Sequence, residues 1–186
     1  MARLNILTQD EINSLYAIPS LDDEERSFLF SLDADDIAIL DSLENNIARK
    51  VDYILQLGYY RAVNYFFLFS FQRVKADTAF IMQLYFPEEP FPKKQVSKNH
   101  HYRNRCEVMR KFGLKEADTG LQTQLLKEAK VLVKRHSLAK FVSEGLLIYC
   151  QQQNVIRPAY STFQDIVSTA LQEERDTSRI TCRDAT

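Results

Sequence analysis

Four glycines and five prolines are all the backbone punctuation in 186 residues, and no other feature restricts the fold as much. β-Rich folds turn at short, regular intervals and draw on these two residue types to do so. Here the prolines fall at Pro19, at Pro87, Pro90 and Pro92, and at Pro158, leaving long stretches unbroken. Such stretches suit helices joined by short connections, and the 45% hydrophobic content is enough to bury a core. We expect an all-α chain, a multi-helix bundle.

Taken in order, Thr8 and Glu11 form a capping-box pattern ahead of Ile12, Leu15 and Tyr16, so a first helix ends before Pro19. A second is expected from Asp22 to Phe30. A third, opened by Asp33 with Asp36, carries Ile37, Leu40 and Leu43 on one side. Acids in the first turn of each meet the positive end of the helix dipole, which explains them better than a pair of catalytic carboxylates would. Asn45 to Ala62 places Ile47, Val51, Ile54, Leu55 and Gly58 on one stripe and is the expected central core helix. The aromatic run from Tyr65 to Phe71 reads as core filling, and Asp77 to Phe86 as a helix stopped by the prolines.

Beyond the prolines, Gly120 to His136 points Leu121, Leu125, Ala129, Leu132, Val133 and His136 inward and Lys127, Lys130 and Lys134 outward. Leu138 to Gln153 carries Phe141, Val142, Gly145, Leu146 and Tyr149 on one face. Ser161 with Gln164 resembles a capping box, launching a helix through about Leu171 that carries Phe163, Ile166, Val167 and Ala170. These elements suggest an N-terminal helical subdomain over residues 1–90, a basic helical subdomain over 91–171, and a polar connector over 172–186.

Charge is distributed unevenly. The net charge is −1, but residues 1–46 carry eleven acids and two bases, whereas 47–186 carry twenty-two bases and fourteen acids. The stretch Lys93 to Lys115, KKQVSKNHHYRNRCEVMRKFGLK, holds eight cations against the single anion Glu107. At helical spacing Tyr102, Cys106 and Met109 make an apolar stripe for docking, with Gly113 as the stop. Runs of lysine and arginine are ordinarily solvated faces. Here they interleave with Asn99, His100, His101, Tyr102 and Asn104, side chains able to bond phosphates or base edges. Exposed charges are screened within about 10 Å, so a local basic surface matters more to a polyanion than the net charge. The acidic front end is expected to be a solvent face away from that surface.

Several classes are set aside by the sequence. Cys106, Cys150 and Cys182 are odd in number and widely spaced, the pattern of reduced thiols, and no metal-ligand spacing is present. No nucleophile or phosphate-loop pattern supports a free-standing enzyme, and no cofactor or metal is expected. No leader pattern or apolar run of about 20 residues occurs, so the expectation is a cytoplasmic protein with no membrane contact.

The spelling also resembles a known family. LTQDEINSLYAIPSLDDEERSFLFSLDADDIAIL, NNIARKVDYILQLGYYRA, YRNRCEVMRKFGL and VIRPAYSTFQDIV look like the N-terminal region of the large DDE transposases of Tn-three-type, class II replicative transposons, across residues 3–171. The most specific pieces are Asn46 to Arg61, with its QLGYYR string, and Ser161-Thr162. Glu44-Asn45 stands where the family usually shows Gly-Pro. The resemblance implies a DNA-binding module for the terminal inverted repeats, with helix-turn-helix-like subdomains, non-catalytic because the DDE core lies downstream of it. It implies roles for Arg49, Arg61, Arg103, Arg105 and Arg110.

The combined expectation is sequence-specific binding of double-stranded DNA. Arg103, Asn104 and Arg105 would read base edges, and Arg49, Arg61, Lys98, His100, Arg110, Lys111, Lys127, Lys130 and Lys134 would add contacts, mostly to phosphates. Self-association would come through the rest of the transposase. The competing expectation is a protein-interaction module for assembly of the transposase complex, suggested by the acidic first 46 residues and the near-zero net charge.

Overall fold

The computed structural model describes residues 4–43 and 46–184, with side chains as far as Thr177. The described residues form nine α-helices and no strand: α1 (Gln9–Tyr16), α2 (Asp23–Leu29), α3 (Ala34–Ser42), α4 (Ile47–Val63), α5 (Lys75–Tyr85), α6 (Lys98–Lys111), α7 (Thr119–Val133), α8 (Ala139–Gln152) and α9 (Tyr160–Asp184). The all-α expectation holds. None of these helices is long and apolar enough to cross a membrane. Glu44-Asn45, singled out in the sequence, lies outside the described residues, as does the side chain of Cys182.

The caps behave as their chemistry requires. Thr8 and Glu11 exchange hydrogen bonds ahead of α1. Asp22 with Glu25 and Asp33 with Asp36 form complete capping boxes on α2 and α3. Gly113, at φ 61°, takes the left-handed conformation just after α6.

The chain divides into two compact units, one spanning Ala17–Gly113 and the other combining the stretch ending at Tyr16 with the stretch beginning at Leu114. The expected division near the prolines is not where the units part. Two long-range attachments explain this: α6 is fixed to α4, upstream of the prolines, and the N-terminal segment packs with the C-terminal helices.

In the Ala17–Gly113 unit, α4 is the axis. Every residue from Val51 to Tyr59 is buried, and α2, α5 and α6 pack on it. Phe30, Tyr53, Ile54, Leu55, Leu57, Tyr59 and Ile81 are all essentially inaccessible to solvent. The aromatic segment after α4 fills the core by alternation, with Phe67, Phe69 and Phe71 inward and Leu68 outward. Gly58 is required by proximity. A Cβ there would lie 2.2 Å from Cδ1 of the buried Phe30 ring and 3.3 Å from the Leu29 carbonyl. Overpacking of this kind costs about 1–3 kcal/mol. Gly58→Ala is therefore expected to lower the unfolding free energy by that amount, seen as a lower urea midpoint with the slope of the transition unchanged.

The other unit is a bundle of α7, α8 and α9 that includes the N-terminal segment. Ile6 and Leu7 join Leu125, Ala129, Val142, Leu146, Phe163 and Val167 in one cluster. Gln164 Nε2 donates to the Leu4 carbonyl at 3.0 Å, Arg157 donates to the Leu15 carbonyl, and Lys140 pairs with Glu11 at 2.8 Å. That ion pair, with hydrogen bonds from Thr8, holds Glu11 down to a pKa of about 2. Four local expectations need correction. His136, expected to face inward, is exposed beyond the end of α7 at Val133. Ser161 lies inside α9 rather than capping it, because the helix already starts at Tyr160, and Gln164 is engaged with Leu4. Phe141 is 49% exposed, since α8 buries Val142, Ser143, Leu146 and Cys150 instead. The polar stretch after Leu171 continues as helix to Asp184, supported by a Gln172–Asp176 hydrogen bond and a Lys130–Glu173 ion pair.

Candidate nucleic-acid interface

The basic helix α6 starts at Ser97, whose hydroxyl accepts from the His100 amide at 3.2 Å. It docks through polar groups and not through the expected Tyr102, Cys106 and Met109 stripe. Asn104 and Val108 are its fully buried residues, whereas Tyr102 is 53% exposed. Asn104 Nδ2 donates to Asp52 Oδ2 at 2.9 Å and to the Arg49 carbonyl at 2.9 Å. His101 Nδ1 meets Asp52 Oδ1 at 2.7 Å, and Gln56 Nε2 donates to Asp52 Oδ2 at 2.8 Å and to the His101 carbonyl at 2.9 Å. One buried carboxylate on α4 thus organises three side chains and fixes the rotation of α6. This corrects the assignment of Asn104 as a base reader: its amide has no route to a groove.

Two further buried carboxylates act similarly. Asp36 accepts from Tyr53 Oη at 3.0 Å and pairs with Arg61 at 3.1 Å and Lys111 at 2.7 Å. Asp77 accepts from Tyr59 Oη at 2.6 Å and from Arg26 Nε at 2.8 Å. Arg61 also donates to the carbonyls of Leu29 and Ser31, and Lys111 pairs with Asp33 at 2.6 Å. Arg61 and Lys111 therefore spend their charge inside the unit. The acidic front end is in part their counter-charge and not simply a remote solvent face.

With the buried side of α6 fixed, its opposite side is set by helical periodicity. Asn99, Arg103, Cys106 and Arg110 follow one another at i, i+4, i+7 and i+11. Asn99, Arg103 and Arg110 are exposed, and Cys106 is half-buried between them. Arg110 shares Glu107 as a partner but keeps 73% side-chain exposure. Lys98 is exposed at the first turn, with Lys93 and Lys94 exposed on the approach, and His100 is half-buried. Arg105 lies on the flank, its guanidinium 5.1 Å from the centre of the Phe66 ring. Arg49 is half-buried, with Nε 3.4 Å from Asn104 Oδ1. Thus Arg103 and Arg110 share the outer stripe with Asn99; Lys98 and Arg105 stand on another side of the helix toward the Phe66 segment, and Asn104, Arg61 and Lys111 are turned into the unit.

Lys127, Lys130 and Lys134 belong to α7 and its C-cap, in the other unit. Lys127 and Lys134 are exposed at i and i+7, two turns apart on one side, and Lys130 is paired with Glu173 at 2.6 Å. The sequence pattern places Asn99 and His101 among side chains able to bond phosphates or base edges, but that grouping shows neither Asn99 in one stripe with Arg103 nor Asp52 and His101 as the fixings behind it. Helical spacing alone would have put Asn99 beside Arg103.

His101 links this docking to pH. Burial disfavours its charged form, but the hydrogen bond and charge of Asp52 outweigh burial and the repulsion of Arg105, so its pKa is raised above the ordinary value. A raised folded-state pKa contributes stability that is complete below about pH 6.5 and is lost as pH rises through the folded value. Thermal unfolding should therefore show the melting temperature falling as pH is raised from 6 toward 8, and His101→Gln should flatten that dependence.

A family model described as a domain of unknown function, DUF4158, matches residues 6–170. No curated protein and no solved structure matches the chain.

Proposed function

We propose a duplex-DNA-binding function for this chain, which belongs to the DUF4158 family: the non-catalytic module through which a replicative transposase of the Tn-three type holds its terminal inverted repeats. The observation that carries the reading is the outward stripe of α6. Asn99, Arg103 and Arg110 are exposed side by side on a helix whose opposite face is anchored to the core through Asp52.

A 14-residue helix is about 21 Å long, and a B-form major groove, about 12 Å wide, admits an α-helix. Arginine bonds guanine in two-pronged fashion and asparagine does so with adenine, so Arg103 and Asn99 are the base readers. Lys93, Lys94, Lys98, Arg105 and Arg110 neutralise phosphates around them. The polar anchoring keeps α6 from rolling, which a helix that reads bases requires.

Fluorescence anisotropy with the terminal duplex of the element encoding the chain, against a scrambled duplex, tests this. Wild-type protein should prefer the terminal duplex, and Arg103→Ala should weaken that preference by about 1–3 kcal/mol. Equal binding of both duplexes by wild type, or an unchanged preference in Arg103→Ala, would remove the assignment.

A second reading, an assembly surface within the same transposase complex, is favoured by α8. Leu138, Phe141 and Ile148 are 61%, 49% and 54% exposed around one side of that helix. The two readings concern different units and are compatible.

A further inference from the structure

We propose that the cleft between the segment 65–70 and the first turns of α6 receives an unpaired nucleobase, making the chain a reader of single-stranded or frayed DNA next to the duplex. This rests on the DNA-binding reading above and extends it to a second form of the same polymer.

The cleft has a volume of about 470 Å³, the size of a small-molecule site. Its walls are Phe66, Leu68, Val96 and Tyr102, together with Lys98 and Arg105, and none of the residues lining it is acidic. Leu68 is 84% exposed and Tyr102 is 53% exposed, an apolar surface that the alternation of the aromatic segment does not need for its core. Lys98, Tyr102 and Arg105 follow at i, i+4 and i+7, so one aromatic ring sits between two cations a turn away on either side. Phe66 backs the cleft, its ring stacked on Tyr60 with centroids 5.2 Å apart and covered by the Arg105 guanidinium at 5.1 Å.

A π-face flanked by cations fits a nucleotide in both its parts. The base stacks on Tyr102 and against Leu68, and the phosphates on either side of it meet Lys98 and Arg105. A duplex offers no free base face, so the cleft is of use only where strands are open. An acidic peptide with an aliphatic anchor would satisfy the charge and the apolar floor, but it has no need of an exposed aromatic ring set between two cations.

The experiment uses the full chain with three probes: the blunt terminal duplex, the same duplex with a short single-stranded extension carrying 2-aminopurine, and that single strand alone. The extension should raise affinity about tenfold over the blunt duplex, the gain expected of one stacked base. Stacking should also quench 2-aminopurine fluorescence. Tyr102→Ala should abolish the gain and the quenching while leaving blunt-duplex affinity unchanged, and Tyr102→Phe should retain both. If the blunt duplex fails to bind but the single strand is quenched in a Tyr102-dependent way, the duplex reading falls and the cleft assignment stands. Equal affinity for blunt and extended duplexes, unquenched 2-aminopurine, or displacement of the strand by an acidic leucine-bearing peptide with no preference for nucleic acid would overturn the proposal.

Discussion

Asp36→Ala is expected to cost the Ala17–Gly113 unit about 3–5 kcal/mol, the penalty for removing one member of a buried ionic cluster. The carboxylate is wholly inaccessible to solvent and serves Tyr53, Arg61 and Lys111 at once. Its loss strands two cations that are only 21% and 14% exposed in their side chains. Burial and the negative charge of Asp36 together push the Tyr53 hydroxyl above its ordinary pKa, so Tyr53 remains a neutral donor and cannot replace the lost anion. Asp33 still reaches Lys111 at 2.6 Å and offsets part of the loss, but among the described residues Asp36 is the carboxylate paired with Arg61.

Urea unfolding followed by circular dichroism measures the effect directly. Asp33→Ala is the control: Asp33 is 55% exposed in its side chain, so its loss should cost far less than that of Asp36. Its bond to Lys111, aided by the Asp36 amide, lowers the Asp33 pKa to about 2. Stability from this group is therefore complete above about pH 3.8 and is lost as pH falls toward 2. A loss for Asp36→Ala no greater than that for Asp33→Ala would mean that the buried cluster is not a strut.

These clusters also mark what the sequence does and does not reveal. Helix positions are legible because their signals are local: Thr8 with Glu11, Asp33 with Asp36, the proline group and Gly113 each act within a turn of where they stand. The placement of Asn104, Asp52, Arg61 and Lys111 is not local. Polar residues in a helical pattern read as outward, and partners 25 to 78 positions away are what compensate their burial. The same blindness hid the attachment of Leu4 to Gln164 and hence the true composition of the second unit. For α6 the basic character was plain from composition, yet which cations face outward depended on the rotation imposed by Asp52. Of the three expected readers, Arg103 is on the surface, Arg105 lies on the flank against Phe66, and Asn104 is a core residue, while Asn99 stands in the stripe with Arg103.

The second large effect is electrostatic. Lys93, Lys94, Lys98, Arg105 and Arg110 are the five cations given to phosphates in this reading, whereas Lys111 is held by Asp33 and Asp36. Each phosphate contact releases about 0.9 counterion, so five contacts give a log–log salt slope of about −4 to −5. Affinity should then fall about 500-fold between 50 and 200 mM salt. Arg103→Ala combined with Arg110→Ala should make the slope shallower by about one, because of these two side chains on the outer face of α6 Arg110 is the one that meets a phosphate, while Arg103 reads a base. Arg61→Ala should instead act on stability.

The most direct test is the salt dependence of binding of the intact chain to its terminal duplex, measured by anisotropy for the wild type and for the Arg103→Ala, Arg110→Ala double variant. A steep wild-type slope that the double variant relaxes is the predicted result. A flat wild-type line, or a steep one indifferent to those two arginines, would contradict the assignment of the outer face of α6 to DNA.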